Sequence, residues 1–248
     1  MLKHWMLGML LGLSSVCASA QYPEFEAHYQ VDIKHPLIPK VSVRHDVKYH
    51  QQGQGQAYYQ ATMQADMQVA SWLEYGRFIL EGTQPVSQKF RMRSRLLTSK
   101  KDRALDAAAF ITPITDVDTH LQPAAQDLPY MDRQSALLWL GQHLADKPLG
   151  YQAHLSLLDS KARLKPLVYQ KYADYHHLDD LASLQILADP RLIPILEFGF
   201  WFADKPEQKV LMWMSAAYPG LILKAQAYDQ QEEVVSIRLA RWHVRTTN

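Results

Sequence analysis

Cysteine occurs once in the 248 residues, at Cys17. That position falls within an N-terminal leader, so the chain that follows offers no disulfide, no thiol nucleophile and no thiolate metal ligand. An excess of charge of one sign is also missing: 26 Lys and Arg stand against 25 Asp and Glu. Loss of Lys3 with the leader leaves 25 against 25. Such a balance carries no electrostatic case for binding nucleic acid or an anionic membrane. After Ala20 no apolar run is long enough to cross a bilayer as a helix. There is no Gly-x-Ser-x-Gly elbow, no His-Glu-x-x-His helix, no Ser-x-x-Lys pair and no Gly-rich phosphate loop. Internal repeats and low-complexity linkers are missing too. The expectation is a protein without a cofactor that is not an enzyme.

What is present begins with the leader. Lys3 precedes an apolar run from Met6 to Val16, and Ala18-Ser19-Ala20 ends it. A short positive region, an apolar stretch and a small-x-small triplet read as a secretory signal peptide over 1–20, cleaved after Ala20. The rival is a lipoprotein signal lipidated at Cys17, but that wants a small residue before the cysteine, where Val16 stands. The rest, 21–248, reads as a single domain, soluble and periplasmic. Its 48% apolar composition allows a sizeable core without disulfides.

The patterning is mostly that of strands. From Phe25 to Lys34, Phe25, Ala27, Tyr29, Val31 and Ile33 alternate with polar residues. Val41, Val43, Val47 and Tyr49 repeat the pattern with His45 on the apolar face. The longest alternation, Ala57 to Val69, puts Tyr59, Ala61, Met63 and Met67 on one side and a Gln-rich row on the other. Trp72 to Glu81 and Val86 to Ser94 follow around Glu81-Gly82-Thr83, the second carrying a basic row, Lys89, Arg91, Arg93 and Arg95. Arg103 to Phe110 and Ile114 to Leu121 are further strand candidates.

Asp132 is a candidate N-cap. Leu137, Leu138, Leu140, Leu144 and Ala145 then recur at helical spacing until Lys147-Pro148 ends the helix. Strand patterning resumes at Tyr151 to Leu158, Leu167 to Tyr175 and Leu181 to Leu187. A lid-like turn and a strand are expected in Leu192 to Phe202. From Lys209 to Val244 three strand-like segments separated by turn signals form an antiparallel meander. About ten or eleven strands with one main helix make an α+β fold, a strongly curved antiparallel sheet with the helix on its concave side.

Metal-like groupings are thin. His176, His177, Asp179 and Asp180 are adjacent on an extended segment, so neighbours point apart. Asp116, Asp118 and His120 would share one face of a strand. Exposed polar loops account for both sets. More suggestive is the aromatic and Met content: Tyr59, Ala61, Met63, Met67, Phe90, Met92, Trp139 and Trp213 are the expected lining of a soft apolar concavity for a lipid-like or other hydrophobic ligand. Two alternatives stay open. One is an interaction module with a dry core, docking a cell-envelope partner by an edge strand or the basic row. The other is a metal-dependent enzyme using the His176 or Asp116 groups.

The order of signal peptide, amphipathic opening strands, Asp132-x-x-Ser135 opening a helix with Trp139, and a late Trp213-Met214-Ser215 strand followed by Pro219 and Leu221 to Lys224 resembles the periplasmic family of domain of unknown function 3108. More distantly it resembles the LolA and LolB lipoprotein carriers. The resemblance implies an incomplete β-barrel wrapped around one main helix, with an apolar concavity that in the carriers holds acyl chains.

Overall fold

The computed structural model describes residues 22–34, 40–51, 57–66, 70–96, 99–106, 130–158 and 164–245. The proposed leader, the strand candidate at Ile114 to Leu121 with Asp116, Asp118 and His120, and Met67 lie outside the described residues.

Strands β1 (Phe25–Ile33), β2 (Val41–His50), β3 (Tyr58–Asp66), β4 (Ala70–Glu81), β5 (Gln84–Leu96) and β6 (Ser99–Asp106) precede a short β7 (Tyr130–Met131) and helix α1 (Arg133–Ala145). After the helix come β8 (Gln152–Leu158), β9 (Leu164–Tyr175), a one-and-a-half-turn helix α2 (Leu178–Ser183) and a 3₁₀ turn at Pro190–Leu192. The chain ends with β10 (Ile195–Phe202), β11 (Lys205–Ser215), β12 (Ile222–Asp229) and β13 (Glu232–Val244). All of these strands join one 13-stranded sheet in the order β6-β5-β4-β3-β2-β1-β13-β12-β11-β10-β9-β8-β7. Every pairing is antiparallel except the parallel β7–β8. Among the described residues no pairing joins β6 to β7, so the sheet is unclosed.

The first and last strands meet at its middle, where β1 pairs with both β2 and β13. Hydrophobic alternation follows from one covered face: Phe25, Ala27, Tyr29 and Val31 are buried while Gln30 is exposed. On the outer side Arg245 bonds both Asp46 (2.9 Å) and Glu26 (2.8 Å), tying the end of the chain to β1 and β2. Burial pushes the Glu26 carboxyl up, but His28, Arg44, His243 and Arg245 together hold it below the usual carboxylate range.

Helix α1 touches β3, β4 and β5 on one arm of the sheet and β7, β8 and β10 on the other. The sheet therefore curves around it. An apolar stripe was expected to be its buried face, yet Gln134 and Ser135 are buried along with Leu138, Leu140 and Leu144. A helix held between two arms has little free surface. The expected strand at Leu181 to Leu187 is instead α2 and the turn after it. His177 caps that helix, its backbone N–H donating to Asp180 (3.1 Å), and Leu181 is the one side chain it buries. A single anchoring leucine satisfies one helical turn as readily as a strand.

Candidate functional site

The concave face is organised by how α1 is held. At its N-terminus Asp132 is fully buried, and one carboxylate oxygen accepts from the backbone N–H of Gln134 (2.8 Å) and Ser135 (3.0 Å). The other accepts from the Ser135 hydroxyl (2.9 Å) and from the hydroxyl of Ser87 on β5. Ser87 in turn accepts from the Asp132 backbone N–H (3.0 Å). Burial pushes the Asp132 carboxyl up, opposed by these donors. Beside it, Glu74 on β4 accepts from Arg133 (2.8 Å) and Gln134 (3.2 Å). This contact needs Gly76 on the same strand, because a Cβ there would lie 2.8 Å from the Asp132 carboxylate and 2.9 Å from Gln134.

At the opposite end the clamp is cationic. Lys171 on β9 is 1% exposed and donates to the carbonyls of Leu144 (2.9 Å), Ala145 (3.3 Å) and Lys147 (2.7 Å), with Asp174 3.0 Å away. A carboxylate at the N-terminus and an ammonium at the C-terminus satisfy the orphan groups of the helix and complement its dipole. Next to Lys171, Trp139 stacks on His143 at 4.2 Å and meets Tyr169 edge-on at 5.9 Å. These rings fasten the helix to the β8–β9 arm.

The expected ligand-lining residues divide. Tyr59, Ala61 and Met63 on β3 and Phe90 and Met92 on β5 share the face that holds Gly76 and Glu74, by register with those residues. Tyr59, Ala61 and Phe90 are buried there, Tyr59 stacked on Phe78 at 5.4 Å. Trp139 looks to the other arm, at Tyr169. Trp213 is on the opposite face: Met214 abuts Gly141 of α1, whereas Trp213 lies under the Lys224 ammonium (4.8 Å), which reaches the Leu184 carbonyl beyond α2 (3.4 Å). In the same concave row as Met63 is His45, fully buried against Phe25 (5.3 Å), with neither ring nitrogen bonded to another described residue. Burial lowers its pKa to about 4, with Asp46 acting weakly the other way.

Patterning did not point to the groove at the tips of β10 to β13. It has a volume of about 290 Å³ and is lined chiefly by Leu167, Phe200, Phe202, Val210, Ala227 and Val234, with Trp201, Tyr228, Gln208, Lys209 and Asp229 around it. Two irregularities open it. Trp201 pairs with Lys209 and Phe202 with Lys205, leaving Pro206, Glu207 and Gln208 without partners on β10. On the next hairpin Ala227 pairs with Val235 and Tyr228 with Glu233, so Val234 is the extra residue. Bulges bend strands and are common at barrel rims and binding sites.

Among the described residues no three His, Cys, Asp or Glu side chains converge on a common point. His177 and Asp180 serve the cap of α2. Lys89, Arg91, Arg93 and Arg95 are exposed on the outer face of β5.

No family model matches the chain, and no curated protein matches it, so membership of the family of domain of unknown function 3108 is not shown. Among solved structures, the chain is similar to a beta-barrel-like protein of domain of unknown function 1849 from Brucella abortus, at 10% identity and a TM-score of 0.53, over 91% of this chain and 99% of that one. The likeness is one of fold and defines its class, a barrel-like antiparallel sheet. A second structure, the Pseudomonas aeruginosa MucA/MucB complex, aligns at 7% identity and a TM-score of 0.32, over 91% of this chain and 53% of that chain. No helix among the described residues is long and apolar enough to cross a membrane.

Proposed function

We propose that this is an exported, soluble protein of the cell envelope that binds a lipid-like or other hydrophobic ligand on the inner side of its unclosed, LolA/LolB-like barrel, with no catalytic step. Export is supported by Lys3, the apolar run to Val16 and the Ala18-Ser19-Ala20 triplet. A periplasmic location and membership of the 3108 family are part of the same reading. The observation that carries it is the apolar groove of about 290 Å³ at the rim of the sheet, near the lower end of the range for small-molecule pockets. Native mass spectrometry of protein purified from the cell envelope tests it. The expected result is a hydrophobic mass retained on a chain beginning at Gln21. Protein that is empty and takes up no hydrophobic probe when titrated would sink it.

A second reading is favoured by the way α1 occupies the concave face: an interaction module with a dry core that docks a partner through the exposed Lys89 to Arg95 row. Reversing the charge of Arg91 and Arg93 would then abolish capture of that partner. Unchanged capture would remove the reading.

A further inference from the structure

The groove at the tips of β10 to β13 is small for a membrane lipid. Its volume of about 290 Å³ accommodates roughly ten groups the size of a water molecule. One short hydrocarbon chain fits, and a pair of chains does not.

Register decides which side chains face that chain. Phe200 pairs with Val210, Val210 with Ala227, and Phe202 with Leu167; directly opposed residues share a face of the sheet, as do residues two apart on a strand. Val210 therefore lies on the side of Met212 and Met214, and Met214 abuts Gly141 of α1, so the apolar floor of the groove is concave. The intervening residues turn outward. Lys209 rests on the rings of Tyr172 (4.6 Å) and Trp201 (5.4 Å) on the outer face, and its charge is not offered to a molecule in the groove.

Two residues beyond Ala227 the concave row reaches Asp229, which also lines the groove. It is opposed by Gln208 on β11 and by Glu232 on β13. Among the described residues no cation comes within ion-pair distance of the Asp229 carboxylate and nothing donates a hydrogen bond to it. At the β9 end of the same row, two residues before Leu167, Lys165 lies 5.2 Å from the centre of the Phe202 ring and has Asp204 as its counter-charge at 4.0 Å. The unmatched charge of the groove is thus negative and stands at its β12 end, where an exposed carboxylate meets an apolar floor. A few placed polar groups at the edge of an apolar pocket fix which way a ligand lies in it.

We propose that the groove binds a single-chain organic cation, an alkylammonium of about eight to ten carbons, with its chain against Phe200, Phe202, Val210 and Ala227 and its head on the Asp229 carboxylate. The inference rests on the hydrophobic-ligand reading above and narrows it to one place and one charge.

Calorimetric titration of the mature chain with octylammonium, 1-octanol and octanoate tests it. Octylammonium binds the wild type most tightly and octanoate least. Asp229→Asn weakens octylammonium about fivefold at low salt, the upper end for a solvent-exposed ion pair, and leaves octanol unchanged; added salt shrinks the difference. Adding Glu232→Gln to it removes any preference for the cation that the neighbouring carboxylate sustains. Lys209→Met, which alters the outer face, changes none of the three. Ala227→Trp fills the groove and abolishes binding of all three; should it not fold, Val234→Trp at the exposed lip replaces it. Unchanged binding in a folded groove-filling variant overturns the proposed place, and if Ala61→Trp then abolishes binding, the hydrophobic-ligand reading survives without this groove. Octanoate binding more tightly than octylammonium, or octylammonium unchanged in the double variant, overturns the charge assignment alone. A wild type that binds none of the probes, nor a larger apolar dye, overturns both.

Discussion

Replacing Lys171 by methionine removes the cation that holds the C-terminus of α1 while keeping nearly the same volume. The ammonium bridges the carbonyls of Leu144 (2.9 Å), Ala145 (3.3 Å) and Lys147 (2.7 Å). Leu144 and Ala145 belong to the last turn of the helix and Lys147 follows its cap; such carbonyls lack the regular intrahelical donor, although that of Leu144 also accepts from the Lys147 N–H (3.2 Å). A hydrogen bond to a charged group contributes about 1.5–3 kcal/mol, and a buried acceptor left unpaired costs about as much again. Asp174 is 27% exposed and regains water, so its share is small. Methionine fills the space, so no cavity is created. Together these put the loss at about 3–5 kcal/mol, the range for breaking a buried charged contact from one side. That is a large part of the stability of an ordinary domain. Urea unfolding followed by circular dichroism should show a lower midpoint at unchanged slope, with a shifted Trp139 emission as the helix end loosens. A loss below about 1 kcal/mol would refute the reasoning, since it would mean that the last helical turn does not depend on β9 for its hydrogen bonds.

His45 sets an acid limit. Its folded pKa of about 4 lies below the free value of 6.5, so it favours folding fully above pH 6.5 and loses that contribution as pH falls toward 4, about 3 kcal/mol in all. His45→Leu should flatten urea midpoints between pH 4 and 7, and an unchanged pH profile would exclude His45 as the source. At Asp132 the sign is reversed: burial raises its pKa, so the charged form costs stability as pH rises through the raised value. Asp132→Asn should therefore match or exceed the wild type at pH 7 while Asp132→Ala loses about 2 kcal/mol, measured by thermal unfolding; equal losses would contradict the cap geometry. The β12–β13 turn holds Gln230 at φ 49° and Gln231 at φ 74°, where glycine is easier. Gln231→Gly should stabilise by about 1 kcal/mol, and a lower melting temperature would oppose this.

The opening strands and the helix were readable because each obeys a local rule. β1 to β3 have one face covered, which produces strict alternation, and α1 carries its own stop and start signals in Asp132 and Pro148. Trp213 was not readable, because Met212, Trp213 and Met214 are apolar on both faces. The sheet there is covered twice, by α1 on one side and by the chain around Leu184 on the other. Lys171 gives no local sign of burial, since its partners are carbonyls from residues 144–147 and no pattern in β9 announces them. The register shift between Glu197 and Phe198 sets it opposite Phe198. The groove depends on two such shifts, and its traces in the sequence are only Pro206 in a strand and a Gln-Gln turn.

The same clamps argue for where a ligand can be accommodated. To enter between α1 and the β3–β5 surface, a molecule would have to pull Asp132 from Ser87, a buried charge-assisted contact that few ligands could replace, or part Arg133 from the buried Glu74 carboxylate. The Lys171 contacts impose the same penalty at the other end of the helix. Thus Tyr59, Ala61 and Phe90, apolar though they are, already have an occupant in the helix. At the tips of β10 to β13 no buried ion pair among the described residues stands in the way: the lining is largely aliphatic and aromatic, and the strands are bulged. A ligand arriving there displaces water and leaves the clamps on α1 intact, so the fold need not open to bind it.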